Sequence, residues 1–153
     1  CYNNLKINDK AAKYSATLKN LQPLTHGPFP FEDGGSLDAV SFSSKAQKRN
    51  SIQIELFVHP PSTFHGCTAF LSFYKNGSFY FGKDLNLTNF KPLGELYAYT
   101  GKISIPRSIP SGTYDVFFTF RIPKIDYRYH LWEKGTLTQE TKISIGKFCF
   151  LRS

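Results

Sequence analysis

Two short stretches gather the side chains most able to do chemistry. "FEDGGSLD", residues 31–38, holds Glu32, Asp33 and Asp38, and "HPPSTFHGC", residues 59–67, holds His59, His65 and Cys67. Paired carboxylates can divide acid and base roles in glycoside cleavage, and a His two positions before a Cys can supply two zinc ligands. Neither pattern is complete. Zinc wants four ligands in fixed geometry, and no second pair accompanies His65 and Cys67. The acidic trio sits in a Gly-rich, turn-like setting, and the histidine stretch has the Pro-rich composition of a strand connection. There is also no G-x-S-x-G elbow, no HExxH helix and no phosphate-cradling glycine loop. The expectation is a protein with no catalytic residues, no metal site and no cofactor.

What the chain has in excess is aromatic surface. Its 153 residues include 15 Phe and 9 Tyr against one Trp and no Met. With 41% hydrophobic and 20% charged residues, the composition excludes a disordered chain. The length suits one domain over residues 1–153, large enough to bury its own core. No apolar run approaches the roughly 20 residues that span a bilayer as a helix. The formal charge of +8 draws the chain toward anionic surfaces, yet the basic residues are scattered and "KAQKR" at 45–49 is the one cluster, read as a solvated loop. Stacking platforms for nucleic acid need exposed rings interleaved with basic residues. Here most rings alternate toward the apolar side, so no nucleic-acid partner is expected.

The elements that must position these residues are strands. "SIQIELFV" puts Ile52, Ile54, Leu56 and Val58 on one face and Ser51, Gln53 and Glu55 on the other, the period-2 pattern of a half-buried strand. "GCTAFLSFYKNGSFYFGKDL" reads as a hairpin turning at Asn76-Gly77, a pair that tolerates the positive φ of a type I′ turn. "IPSGTYDVFFTFRIP" divides into Tyr114, Val116, Phe118, Phe120 and Ile122 against Asp115, Phe117, Thr119 and Arg121. "DAVSFSS", "GKISIP" and "ETKISIGKFCFL" alternate in the same way, the last through Ile143, Ile145 and then Cys149, and "ATLKNL" near 16–21 is a weaker candidate. No amphipathic helix of three turns appears. Seven or eight strands joined by turns indicate an all-β, antiparallel two-sheet β-sandwich of immunoglobulin-like or similar build, with a closed barrel as the competitor.

Two signals point to a secreted or luminal glycoprotein. "NGS" at 76–78 and "NLT" at 86–88 are sequons in stretches that read as exposed, which makes Asn76 and Asn86 the candidate glycosylation sites. Cys1 stands where a mature chain begins after removal of a signal peptide. Three cysteines, Cys1, Cys67 and Cys149, allow one disulfide and one leftover thiol. Cys67 is open to three fates: buried and inert, paired with Cys149, or linking two chains.

One segment resists the core explanation. "RIPKIDYRYHLWEKGTLTQE", residues 121–140, is longer than a hairpin loop and carries Tyr127, Arg128, Tyr129, His130, Leu131 and Trp132 in a row. Either the flanking strands continue into a long ribbon, or these rings sit at a rim where a ligand, a lipid headgroup or a partner protein meets them.

"IPSGTYDVFFTF" and "ISIGKFCFL", with Cys1, resemble the MD-2-related lipid-recognition (ML) family, which is made of small, secreted, glycosylated two-sheet sandwiches. The resemblance covers about the last 50 residues. It implies a Cys1–Cys149 bridge, worth on the order of 4–5 kcal/mol in chain entropy. It also implies an inner face that holds an acyl chain or sterol. Ile54, Leu56, Phe70, Phe73, Tyr114, Phe118 and Phe120 would then line the wall, with Tyr129 and Trp132 near its mouth. The family commonly has four or more further cysteines where this chain has only Cys67, so at least one staple is missing. The functional expectation is a secreted, non-catalytic protein holding a lipid or other apolar small molecule between its sheets. The alternative is an extracellular interaction module with a closed core. It would bind a protein or glycan partner, or an anionic membrane surface, through residues 121–135.

Overall fold

A computed structural model describes residues 25–43, 51–62 and 66–151. The weak strand candidate at 16–21, the basic cluster at 45–49, His65 and Cys1 lie outside the described residues.

Eight strands of six residues or more carry the architecture: β1 (Thr25–Pro30), β2 (Ser36–Phe42), β3 (Ser51–His59), β4 (Thr68–Lys75), β5 (Ser78–Asn86), β7 (Leu96–Ser104), β8 (Gly112–Ile122) and β12 (Ile143–Phe150). Four short ones join them: β6 (Lys91–Leu93), β9 (Tyr127–Arg128), β10 (Trp132–Glu133) and β11 (Thr136–Leu137). Their order is β1-β2-β3-β7-β6 in the first sheet and β12-β8-β4-β5 in the second, with β9 added to β8 and β10-β11 forming a separate hairpin. Every pairing is antiparallel. The all-β sandwich expected from alternation is the fold.

The core lies between the two sheets. Ile52, Ile54, Leu56 and Val58 of β3 face Leu71 and Phe73 of β4 and Tyr114, Val116, Phe118 and Phe120 of β8 in one buried cluster. Full burial of such side chains is worth about 1.5–3 kcal/mol each. At the start of β8 the Tyr114 hydroxyl donates to the Pro110 carbonyl four residues upstream, a tyrosine corner that ties the incoming loop to the strand. The Asn76-Gly77 hairpin forms as expected, with φ of 52° and 81°.

Two strands depart from simple alternation. The polar side of β3 is not solvent-facing: Glu55 and Ser51 are buried, because Ala39, Phe57, Leu96 and Ala98 build a second, smaller apolar cluster on the outer face of that sheet. In β12 a bulge between Ser144 and Gly146 inserts one residue against β8. Beyond it the phase reverses, so Phe148 and Phe150 turn inward and Cys149 no longer follows Ile143 and Ile145.

The cysteines follow from this register. Cys67 precedes Thr68, which pairs with Arg121 at one end of β8, whereas Cys149 pairs with Thr113 near the other. Eight residues of strand separate those two points, roughly 26 Å, and a disulfide needs Cα atoms within about 7 Å. A Cys67–Cys149 bridge is therefore excluded, and both thiols are free. The expected Cys1–Cys149 bridge has its first cysteine outside the described residues.

The 121–140 segment is a rim and not a ribbon. β8 stops at Ile122, a 3-10 turn at Pro123–Ile125 ends in left-handed Asp126, and β9 folds back onto β8. Arg121 fixes this return from Nη1 to Asp84 Oδ2 at 2.6 Å and from Nη2 to Asp126 Oδ1 at 3.3 Å. The chain then bridges Leu131 to Phe31. It turns once more at Lys134-Gly135, with φ of 51° and 77°, to make the β10–β11 hairpin.

Candidate functional site

The side chains expected to line an intersheet pocket are mostly committed to one another. Ile54, Leu56, Phe73, Tyr114, Phe118, Phe120 and Tyr129 are all buried in the main cluster. Phe118 and Phe120 meet edge to face at 5.1 Å, and Phe31 packs edge-on against both, at 5.8 and 5.2 Å. Phe73 stacks on Phe81 at 4.2 Å. Phe70 points the other way. Three residues from Phe73 on a strand of period two, it lies on the outer face, where its ring covers Gly82 of β5 and sits under Arg121 and Arg128 at 5.0 and 5.2 Å. That position removes it from any intersheet wall. Trp132 alone of the expected set is exposed, at 43%.

Trp132 stands between two adjoining hollows. One, of about 520 Å³, is lined by Pro28, Pro30, Phe31, Gly35, His59 and Trp132, with Ser36, Asp33 and Asp38 among its polar walls. The other, of about 300 Å³, lies between Pro30, Leu131, Trp132, Glu133 and Ile143. They share Pro30 and Trp132, so they form one groove divided by an indole. The larger falls in the ordinary size range of small-ligand pockets.

The groove's floor is the β1–β2 connection, and its rigidity is built locally. Phe31 anchors it in the core, and Asp33 and Gly34 take φ of 59° and 76° to reverse the chain. The Phe31 amide donates to the Gly35 carbonyl at 2.7 Å and the Ser62 amide to the Asp33 carbonyl at 2.8 Å. Gly35 is required by space: a Cβ there would meet Pro61 Cγ at 2.8 Å.

Glu32 fastens this floor to the rim. Its Oε1 accepts from the Tyr127 hydroxyl at 2.6 Å, the His130 amide at 2.7 Å and the His130 Nδ1 at 3.2 Å. Its own amide donates to the His130 carbonyl at 2.9 Å. Burial pushes the Glu32 carboxyl up, but the Tyr127 and His130 donors outweigh it and leave it below its ordinary value. The same contact, with burial second, pushes the Tyr127 phenol up to about 12.

Ser36, Asp38 and His59 form the polar end. Ser36 and His59 are register partners across β2 and β3, and Asp38 is the next residue on the same face of β2. Ser36 Oγ donates to Asp38 Oδ1 at 2.7 Å, and His59 Nδ1 lies 3.1 Å from that oxygen and 3.2 Å from Ser36 Oγ. A hydrolytic relay uses both ring nitrogens, one toward the carboxylate and the other toward the hydroxyl. Here the serine and the aspartate meet the same nitrogen, and the serine proton is directed at the carboxylate. The arrangement fixes a histidine and does not activate a serine.

The acidic and histidine stretches singled out by sequence thus converge on one place, though not as carboxylate pair or zinc set. Among the described residues no group of three or more His, Cys, Asp or Glu side chains could hold a metal ion. Cys67 is buried and its thiol is pushed up to about 11, by burial above all. What sequence reading missed is the prolines: Pro28 and Pro30 give the groove its apolar wall, and their spacing on an edge strand was the available signal. No protein-family model matches the chain, and no match is found among curated proteins.

Proposed function

We propose that the protein is an extracellular, non-catalytic binding module that holds a carbohydrate chain along the groove at Trp132. The observation that carries this reading is the indole itself, exposed at 43% and shared as a wall by two adjoining hollows. A pyranose presents an apolar C–H face, edged positive, that fits the negative face of an aromatic ring, while its hydroxyls reach polar groups alongside. A groove open on both sides of the ring takes a chain in which one residue stacks and its neighbours lie in the flanking hollows.

Three further features support the reading. The floor is pre-organised by Phe31 and Glu32, which lowers the ordering cost of binding. The rings that would serve a lipid pocket are engaged with each other in the core, which favours the closed-core module over the intersheet carrier. Both sequons are in exposed positions, Asn76 at a hairpin tip and Asn86 at the end of β5, consistent with a secreted glycoprotein.

The test is binding of the intact chain to a panel of immobilised oligosaccharides, beside Trp132→Ala. We expect retention on at least one sugar class and its loss in the variant, with the unfolding midpoint little changed. Fatty material released from the native protein on organic extraction, with no sugar retained, would overturn the proposal in favour of a lipid carrier.

A further inference from the structure

The charges around the groove run against those of the chain. Although the protein carries +8 overall, the charged side chains lining the two hollows are Asp33, Asp38 and Glu133, with His59 and no Lys or Arg. Asp38 is buried and Asp33 and Glu133 are exposed. The field inside the groove is thus negative in a molecule whose remaining surface is basic.

The histidine adds to this. A carboxylate has no proton to give, so at 3.1 Å from Asp38 Oδ1 it is His59 Nδ1 that carries the hydrogen. In the neutral ring the other nitrogen, Nε2, is then an acceptor, and His59 is the 38%-exposed member of the pair on the groove wall. Ser36, the remaining hydroxyl, spends its proton on Asp38. The side-chain groups at the polar end are acceptors, and they call for a ligand that donates.

We infer that the groove selects neutral or amino-bearing sugars and rejects acidic ones, because the acceptor set of Asp33, Glu133 and Asp38-bound His59 meets hydroxyl or ammonium donors and repels carboxylate and sulfate groups. This inference rests on the reading of the groove as a carbohydrate site. An ammonium gains twice there, from the carboxylates and from the face of Trp132. A uronate or sulfated sugar faces like charges in a site with no cation to offset them, and such juxtaposition is a strong means of discrimination.

The experiment measures binding of the full chain to three soluble oligosaccharide sets: neutral glucose- or N-acetylglucosamine-based, deacetylated amino-sugar, and uronate or sulfated. Each is run with the native protein, Trp132→Ala, and Asp33→Asn, an exposed substitution that keeps the side chain's shape. Expected are binding of the first two sets, acidic sugars weaker by about tenfold or more, and a narrowed gap in Asp33→Asn. If acidic sugars bind as well as neutral ones and Trp132→Ala abolishes both, the charge inference fails while the groove site stands. If binding is indifferent to Trp132→Ala, or no set binds, the groove reading itself fails.

Discussion

Tyr127 donates its hydroxyl to Glu32 Oε1 at 2.6 Å across 95 positions of sequence. This contact joins the first described connection of the chain to the rim that carries Trp132. Together with the two donors of His130, it converges three hydrogens on one carboxylate oxygen. The groove wall and the groove floor are held in register by that convergence.

Acid should loosen it first. The folded Glu32 carboxyl lies below its ordinary value of 4.5, so its contribution is present above that pH and is lost as pH falls through the folded value. Glu32→Gln is expected to cost about 1–2 kcal/mol at pH 7, as for a hydrogen bond to a charged group. Its deficit relative to the native chain should shrink below about pH 4. Urea unfolding at pH 7 and pH 3 reads both values. A deficit that stays constant across that range would mean Glu32 is not ionised in this contact.

Alkali acts from the other side. The Tyr127 phenol, pushed up to about 12, is held protonated by its acceptor. Its share of stability is complete below its ordinary value of 10 and is lost as pH rises from there through 12. In a tyrosinate absorbance titration, one of the nine tyrosines should ionise late, and Tyr127→Phe should remove that late step. Retention of the full late amplitude in the variant would assign it to another ring.

Cys67 should behave as an inert core thiol. With its thiol pushed up to about 11 by burial, little thiolate exists near pH 8. Iodoacetamide is expected to leave Cys67 unmodified in the native protein and to label it on unfolding in denaturant, as read by peptide mass mapping. Rapid native labelling would show that the end of β4 opens.

Phe118 and Trp132 should separate stability from binding. Phe118→Ala removes a buried ring packed edge-on against Phe31 and Phe120 and is expected to cost about 3–5 kcal/mol. Trp132→Ala removes a ring that is 43% exposed on a two-residue strand, and its cost should stay below about 1 kcal/mol. Chemical denaturation measures both. A small loss in Phe118→Ala, restored by added fatty acid, would point back to a cavity behind β8.

Much of this molecule was legible in one dimension. Alternation placed Ile52, Ile54, Leu56, Tyr114, Phe118 and Phe120 on inner faces, and Asn76-Gly77 announced its turn, because side-chain direction in a strand depends on parity and a tight turn on local φ. Parity also fails silently. The bulge at Ser144–Gly146 reversed the phase of Cys149, and the apolar cluster of Phe57, Ala39 and Leu96 buried the side of β3 that carries Glu55. Phe70 and Phe73 were assigned to one wall although their spacing of three puts them on opposite faces.

The residue types of a binding site were likewise present in the sequence: acidic "FEDGGSLD", His59, and Trp132 in an over-long segment. Their grouping was not. Strand period and turn chemistry are local and can be read from neighbours, whereas Glu32 meets Tyr127, and Trp132 meets Pro30, only through the packing of one connection against another. Contacts between distant positions depend on sheet order and on the path of a rim that folds back on β8, and neither leaves a periodic trace in the chain. Sequence therefore determined that there would be two sheets and a buried aromatic interior; tertiary structure decided which ring remained outside, and what stood beside it.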